Sequence, residues 1–268
     1  MITCQLMGGL GNQLFQIFAT IAHAHKSNTR FYFLNVERLG LRNTFWNSFF
    51  HNLKQYLLQS FPSLDMYKEI DFSYHSIPIH IQHTKLFGYF QSEKYFKNYY
   101  SEIYKLVGIE DMKTALMTKI KVDLNNTISM HFRLGDYKHI QHCHPIVPYT
   151  YYENALLHIQ KSKNASFTII YFCEDEDIQI VEETIYKLKQ KFSYEFIRGD
   201  NTLQDWEQML YMSLCQHNII ANSTFSWWGA YFNTNNKIVC YPSLWFGPIF
   251  NHYNTNDLCP DEWIKIQC

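Results

Sequence analysis

Glycine and proline are scarce: ten and seven in 268 residues. That excludes collagen-like, linker-like and low-complexity chains. Neither charge sign is in excess. Lys and Arg number 23, Asp and Glu 24, so nothing neutralises a phosphate backbone and a dedicated nucleic-acid binder is excluded. No apolar run approaches the ~18–20 residues that span a bilayer, and no signal peptide is visible. The seven cysteines, Cys4, Cys143, Cys173, Cys215, Cys240, Cys259 and Cys268, are odd in number and form no CxxC. A zinc site or disulfide framework is therefore not expected, and reduced thiols are. The expected location is the cytoplasm or the periphery of a membrane, without secretion.

Aromatic residues, by contrast, are plentiful, at 18% of the chain. The length suits two small domains or one large one. Ile2–Met7 reads as a strand that stops at Gly8-Gly9-Leu10-Gly11-Asn12, and residues 13–26 follow as a helix on Leu14, Ile17, Phe18 and Ile21. Arg30–Asn35 and Thr84–Phe90 read as strands, and Ser92 as the cap of a helix running to Val107. Residues 40–80 carry no clear period. In the second half, strands at Thr127–Phe132, Phe167–Phe172, Tyr194–Arg198, Asn218–Ala221 and Lys237–Tyr241 alternate with helices at 149–161, 176–191 and 203–216 and one near Ser226. Such alternation predicts a doubly wound parallel sheet. The polar stretch Asp123–Asn126 divides the chain into expected domains 1–125 and 126–268.

Ligands of open parallel sheets bind beyond the carboxyl ends of the strands. Four polar segments fall there: Gly8–Asn12, Arg133–Asp136, Cys173–Asp175 and Asn222–Ser226. The first suits a tight turn or an anion loop, and is neither a dinucleotide fingerprint nor a Walker loop. His131 and Arg133 alternate onto one face. Arg133 can hold a phosphate or pair with Asp136 on the surface. Asn222-Ser223-Thr224-Phe225-Ser226 offers hydroxyls to phosphate oxygens, or a simple helix cap. Asp175 and Asp177 form a DxD that reads as charge on a helix end.

Taken in order, Gly8–Gln16, Gly88–Phe96, His131–Tyr137 and Met212–Trp228 closely resemble the α-1,2-fucosyltransferase family, glycosyltransferase family 11. The resemblance covers residues 2 to about 245. It implies an α/β, GT-B-like architecture of two Rossmann-like domains facing a cleft, the first on the acceptor side and the second binding the nucleotide sugar. It implies inverting transfer of L-fucose from GDP-fucose to a sugar hydroxyl, O2 of a galactose, with no metal ion and no cofactor beyond the donor. Carried over by motif, Arg133 meets the donor β-phosphate and Asn12, with Gly9, Gly11 and Gln13 in its loop, lies near the nucleotide. His131 meets the guanosine, while Asn222, Ser223, Thr224, Phe225 and Ser226 surround the pyrophosphate. Asp136 is the first candidate for the general base, ahead of Glu93 and the His139, His142 and His144 group. Two positions depart from the family pattern. Leu134 stands where a second arginine is usual, and Gln208 where an aspartate reads guanine.

Overall fold

The computed structural model describes residues 1–163, 165–235 and 237–268. The chain forms two compact units, Met1–Met112 with Tyr253–Pro260, and Lys113–His252 with Asp261–Cys268. The sequence reading divides the chain at 125/126. The units instead change over at 112/113, and the chain returns to the first unit for eight residues near its end. The change falls inside a helix whose weak periodicity left it unread, Ile109–Met117.

In the first unit, β1 (Ile2–Cys4) leads through the glycine segment into α1 (Leu10–Lys26). β2 (Phe33–Leu34), the hairpin strands β3 (Arg38–Leu39) and β4 (Arg42–Asn43), and β5 (Leu57–Leu58) follow. β6 (Asp65–Lys68) and β7 (Thr84–Phe87) complete a parallel three-stranded sheet in the order β1-β7-β6. Leu14, Phe15, Ile17, Phe18 and Ile21 of α1 are wholly buried. The helix expected from Ser92 is broken. Ser92 caps only a 3-10 turn, accepting from Lys94 N at 3.3 Å, and α2 begins at Tyr100 (Tyr100–Val107). Phe96 leaves helical geometry at φ −136° and packs edge-on to Phe18 with ring centroids 5.4 Å apart. Aromatic burial overrides the local helical pattern there.

With α3 (Ile109–Met117) the chain passes into the second unit. Six parallel strands stand in the order β10-β9-β8-β11-β12-β13. They are β8 (Thr127–His131), β9 (Thr168–Phe172), β10 (Glu195–Arg198), β11 (His217–Ile219), β12 (Val239–Pro242) and β13 (Ile264–Ile266). The helices are α4 (Tyr149–Ser162), α5 (Ile178–Lys191), α6 (Asp205–Leu214) and α7 (Thr224–Tyr231). All five residues of β8 are buried, as a parallel strand covered on both faces requires. Tyr151, Leu156, Ile159, Val181 and Ile185 of α4 and α5 pack against Ile128, Met130 and Ile169 of the sheet. The expected α/β class with a doubly wound parallel sheet is what this unit has. β13 carries too short an apolar run to stand out in the sequence. Among the described residues no helix is long and apolar enough to cross a membrane.

Candidate active site

The second unit's strand order reverses between β8 and β11. From β8 the chain winds outward to β9 and β10, then returns to β11 on the other side of β8. Loops leaving the carboxyl ends of the two strands therefore diverge, which opens a crevice for a ligand. Two of the four motifs, His131–Tyr137 and Asn222–Trp228, follow these two strands.

His131 ends β8 with only 7% of its surface exposed. Its Nδ1 has no hydrogen-bond partner among the described residues, and its ring centroid lies 5.6 Å from that of Phe225. Burial, reinforced by the Arg133 guanidinium, pulls the imidazole pKa down to about 3. The unfolded chain takes up this proton near pH 6.5 while the folded one refuses it, so stability is present above that pH and is lost as pH falls toward 3. Between pH 7 and pH 5, His131→Asn is expected to lose about 2 kcal/mol less stability than the wild type. Urea denaturation at the two pH values measures this, and equal losses would show that the imidazole is not responsible.

Beyond β8 the guanidinium of Arg133 donates through Nη1 to Glu174 and through Nη2 to Asp136. It also lies over the Tyr137 ring, 5.1 Å from the centroid. Both surface pairing and ligand binding were open for Arg133, and the structure shows the pairing. Asp136 is thus seated as a brace for Arg133. Asp177, 1% exposed, accepts from Gly135 N at 2.7 Å and from Lys138 Nζ at 2.6 Å. Gly135 has φ +39°, and a Cβ there would meet Glu174 Oε2 at 2.9 Å. Tyr137 closes the loop, donating its hydroxyl to Asn222 O at 3.2 Å and stacking on His144 with centroids 4.9 Å apart. Leu134, in the place of a second arginine, is buried in the core.

Asp175 and Asp177 stand in the first turn of a helix, as read from the sequence, but Asp177 is buried there. Asp175 accepts from Arg198 and from Asn201 Nδ2, and Asp177 pins the 133–138 loop from below. Both have partners distant in sequence, Asp175 at the surface and Asp177 in the interior. His139 and His142 are exposed while His144 is half-buried in the aromatic stack, so the three do not converge. Among the described residues no group of three or more His, Cys, Asp or Glu side chains could hold a metal ion. Glu93 lies 3.8 Å from Lys97 in the first unit.

At the second motif the simple helix cap is what forms. Ser223 Oγ accepts from Phe225 N at 3.3 Å as the N-cap of α7. Ser226, wholly buried, turns its hydroxyl to Ser223 O at 3.3 Å. Asn222 ties two loops, donating to Pro145 O at 2.9 Å and Trp245 O at 3.1 Å, while its buried Oδ1 lacks a partner among the described residues. Ser226 thus donates to the chain itself, while Ser223 only accepts and keeps its O–H as a donor. Half-buried Thr224 and Phe225 are the residues that open toward solvent at this helix start. Gln208 is half-buried and donates to Leu203 O at 3.2 Å. Its neighbour Glu207 is committed to a capping box and to Lys119.

The glycine loop belongs to the first unit. Gly8 has φ +75°, and a Cβ there would lie 2.4 Å from Asn12 Nδ2. The positive φ favours glycine at this turn, and any side chain would also displace that of Asn12. Gly9 is the N-cap of α1, so Gly11, Asn12 and Gln13 are already helical. Gln13 is a brace: fully buried, it donates to Gly8 O at 3.0 Å and Asn43 O at 2.9 Å. Gln16 adds a second, accepting from Met7 N at 2.8 Å. Asn12 Oδ1 accepts from Gln91 Nε2 at 3.0 Å.

Gln91 is presented by a loop that sequence reasoning left without a partner. Tyr89 N and Phe90 N donate to the Glu69 carboxylate at 2.7 and 2.9 Å, and Phe90 is held at φ +53°. A Cβ on Gly88 would strike Glu69 Cβ at 2.4 Å. Burial pushes the Glu69 carboxyl up to about 7. The Gly88–Phe96 wording could have signalled this loop, but Glu69 lies in the unperiodic 40–80 stretch.

Residues 1–267 match the family Glycosyl transferase family 11. The chain belongs to this family of glycosyltransferases. Among curated relatives, the O-antigen biosynthesis glycosyltransferase WbnK of Escherichia coli is 32% identical over 68% of this chain and 60% of its own length. An alpha-1,2-colitosyltransferase of Escherichia coli is 28% identical over 99% of each chain. The matched region thus spans less than two thirds of the first relative and nearly all of the second. Among solved structures, the Arabidopsis thaliana FUT1 mutant R284K in complex with GDP is similar at 10% identity and a TM-score of 0.47, over 89% of this chain and 69% of that one. The E. coli ADP-heptose lps heptosyltransferase II is similar at 14% identity and a TM-score of 0.38, over 59% and 43%.

Proposed function

We propose that this protein transfers L-fucose from GDP-fucose to O2 of a galactose in a glycan, with inversion and without a metal ion. The observation that carries the reading is the convergence of Arg133, the buried His131 and the start of α7 on the carboxyl ends of β8 and β11. A parallel sheet places its ligand at this reversal of strand order. Family membership supplies the reaction class.

In the transfer, the acceptor oxygen bonds to C1 of the sugar from the face opposite the diphosphate. The bond from C1 to the β-phosphate oxygen breaks, GDP leaves with the electron pair, and the acceptor's proton passes to a general base or to the departing phosphate oxygen. Charge grows on that oxygen while C1 gains oxocarbenium character. A guanidinium and a helix N-terminus held in advance stabilise such charge without reorganising. Metal-free transfer is supported by the engagement of Asp175 with Arg198 and Asn201, and of Asp177 with Gly135 and Lys138. Activity is therefore expected to survive EDTA. Abolition by EDTA with rescue by Mn²⁺ or Mg²⁺ would overturn this part.

Asp136 separates two mechanisms. As a brace for Arg133, the role its bond supports, Asp136→Asn weakens GDP-fucose binding together with turnover. As the general base that takes the acceptor proton, it would lose transfer while donor affinity holds. Calorimetric titration of GDP-fucose beside the transfer rate decides, and unchanged transfer eliminates both roles.

A second donor is favoured by the near full-length likeness to an alpha-1,2-colitosyltransferase and by Gln208 in place of aspartate. The purified protein offered GDP-fucose, GDP-colitose and other nucleotide sugars in parallel settles the matter. GDP-fucose is expected to be consumed fastest, and preference for another donor would replace it.

A further inference from the structure

The first unit contains a cavity of about 440 Å³, within the ~300–1,000 Å³ usual for small-molecule sites. Leu34, Phe61 and Leu64 give it apolar walls, and Gln5 and Ser63 add an amide and a hydroxyl. Its one cation is Lys85. Lys85 sits on β7, the middle strand of the three-stranded sheet, with Thr3 and Met66 opposite it on the two flanking strands. Alternation buries Thr84 and Leu86 and sends Lys85 to the other face. The residue is half-buried, yet among the described residues no carboxylate, carbonyl or hydroxyl bonds its ammonium. The ammonium on the cavity wall is therefore uncommitted and can meet an anionic group of a bound ligand.

We propose that this cavity is the subsite for an acceptor sugar that carries a carboxylate. Lys85 pairs with the carboxylate, Phe61 lies against the apolar C–H face of the pyranose ring, and Gln5 and Ser63 bond its hydroxyls. One ammonium matches one carboxylate. It is too little charge for a nucleoside diphosphate, and Arg133 and Lys138 belong to the other unit. The assignment of the bound sugar as acceptor rests on the glycosyltransferase reading. Gln5 and Leu6 run directly into Met7 and the glycine loop, so occupancy of the cavity bears on the segment that carries Asn12.

The test is calorimetric titration of the whole protein with methyl β-D-galacturonide and methyl β-D-galactoside, which differ only at C6. The galacturonide is expected to bind about tenfold more tightly, with a preference that shrinks as salt is added. Lys85→Met is expected to abolish the preference and Lys85→Arg to retain it. Retained binding of methyl β-D-galactoside, which needs the cavity but not the ammonium, shows that the first unit of each variant is folded, and GDP is titrated into the same samples. Equal binding of the two sugars, no detectable binding of the galacturonide, or a preference that survives Lys85→Met overturns the proposal. Failure of GDP to bind the wild type would count against the nucleotide-sugar reading instead, and the pair of sugars still judges the cavity.

Discussion

Arg133→Ala is expected to lower the transfer rate by roughly 100-fold or more, the cost of removing one preorganised charge-stabilising group. The guanidinium is held in place before any ligand arrives. Glu174 and Asp136 each take a bond from it, and Tyr137 lies beneath. A guanidinium carries five N–H donors, so the two carboxylates leave donors over for phosphate oxygens. Removing it also leaves Glu174 and Asp136 facing any incoming diphosphate as uncompensated charge, so GDP affinity falls as well. Lysine restores the charge but not the planar fork that serves two acceptors at once, and Arg133→Lys is expected to recover only part of the rate. Steady-state transfer with the preferred donor measures both variants. Turnover near wild type in Arg133→Ala would remove this residue from the leaving-group role.

Asp177→Ala is expected to cost about 2–4 kcal/mol of stability. The carboxylate is 1% exposed and bonds Gly135 N and Lys138 Nζ. Alanine leaves the Gly135 N–H without its acceptor, for about 1–3 kcal/mol. The Lys138 side chain is 31% exposed and can turn toward water, which keeps the total below that of a fully enclosed ion pair. Because the same carboxylate holds the loop that carries Arg133, turnover falls alongside stability. Asp177→Asn keeps one acceptor for Gly135 and loses less. Urea denaturation of the three proteins tests the order. A loss under about 1 kcal/mol in Asp177→Ala would place Asp177 among ordinary helix-end charges.

Much of the second unit was legible in the chain. Segments of strand length at Thr127–Phe132, Phe167–Phe172 and Asn218–Ala221 need no partner to be recognised, and neither do the helices between them. Their alternation specifies a parallel sheet, and a parallel sheet specifies where polar residues at strand ends will gather. That placed His131, Arg133 and Asn222–Ser226 near one another before any coordinates. The first unit was legible only at its ends. Between residues 40 and 80 the elements are strands of two to four residues and a 3-10 helix, too short for a period of 2 or 3.6 to show.

The sequence alone determined the class of fold and which segments bear chemistry, because period and motif are local properties. Tertiary structure decided what each side chain in those segments does. Ser223, Ser226 and Gln13 read as ligand-binding groups, and folding brings each of them a backbone partner as well. Asp177 read as solvated charge, yet the turn at Gly135, 42 residues earlier, buries it. Glu69 carried no signal, yet the Tyr89–Phe90 turn, and through it Gln91 and Asn12, depends on it. Each of these outcomes is set by a partner that the chain brings near only when the sheet is assembled. Such long-range partners fix which polar groups are occupied and which remain for a ligand.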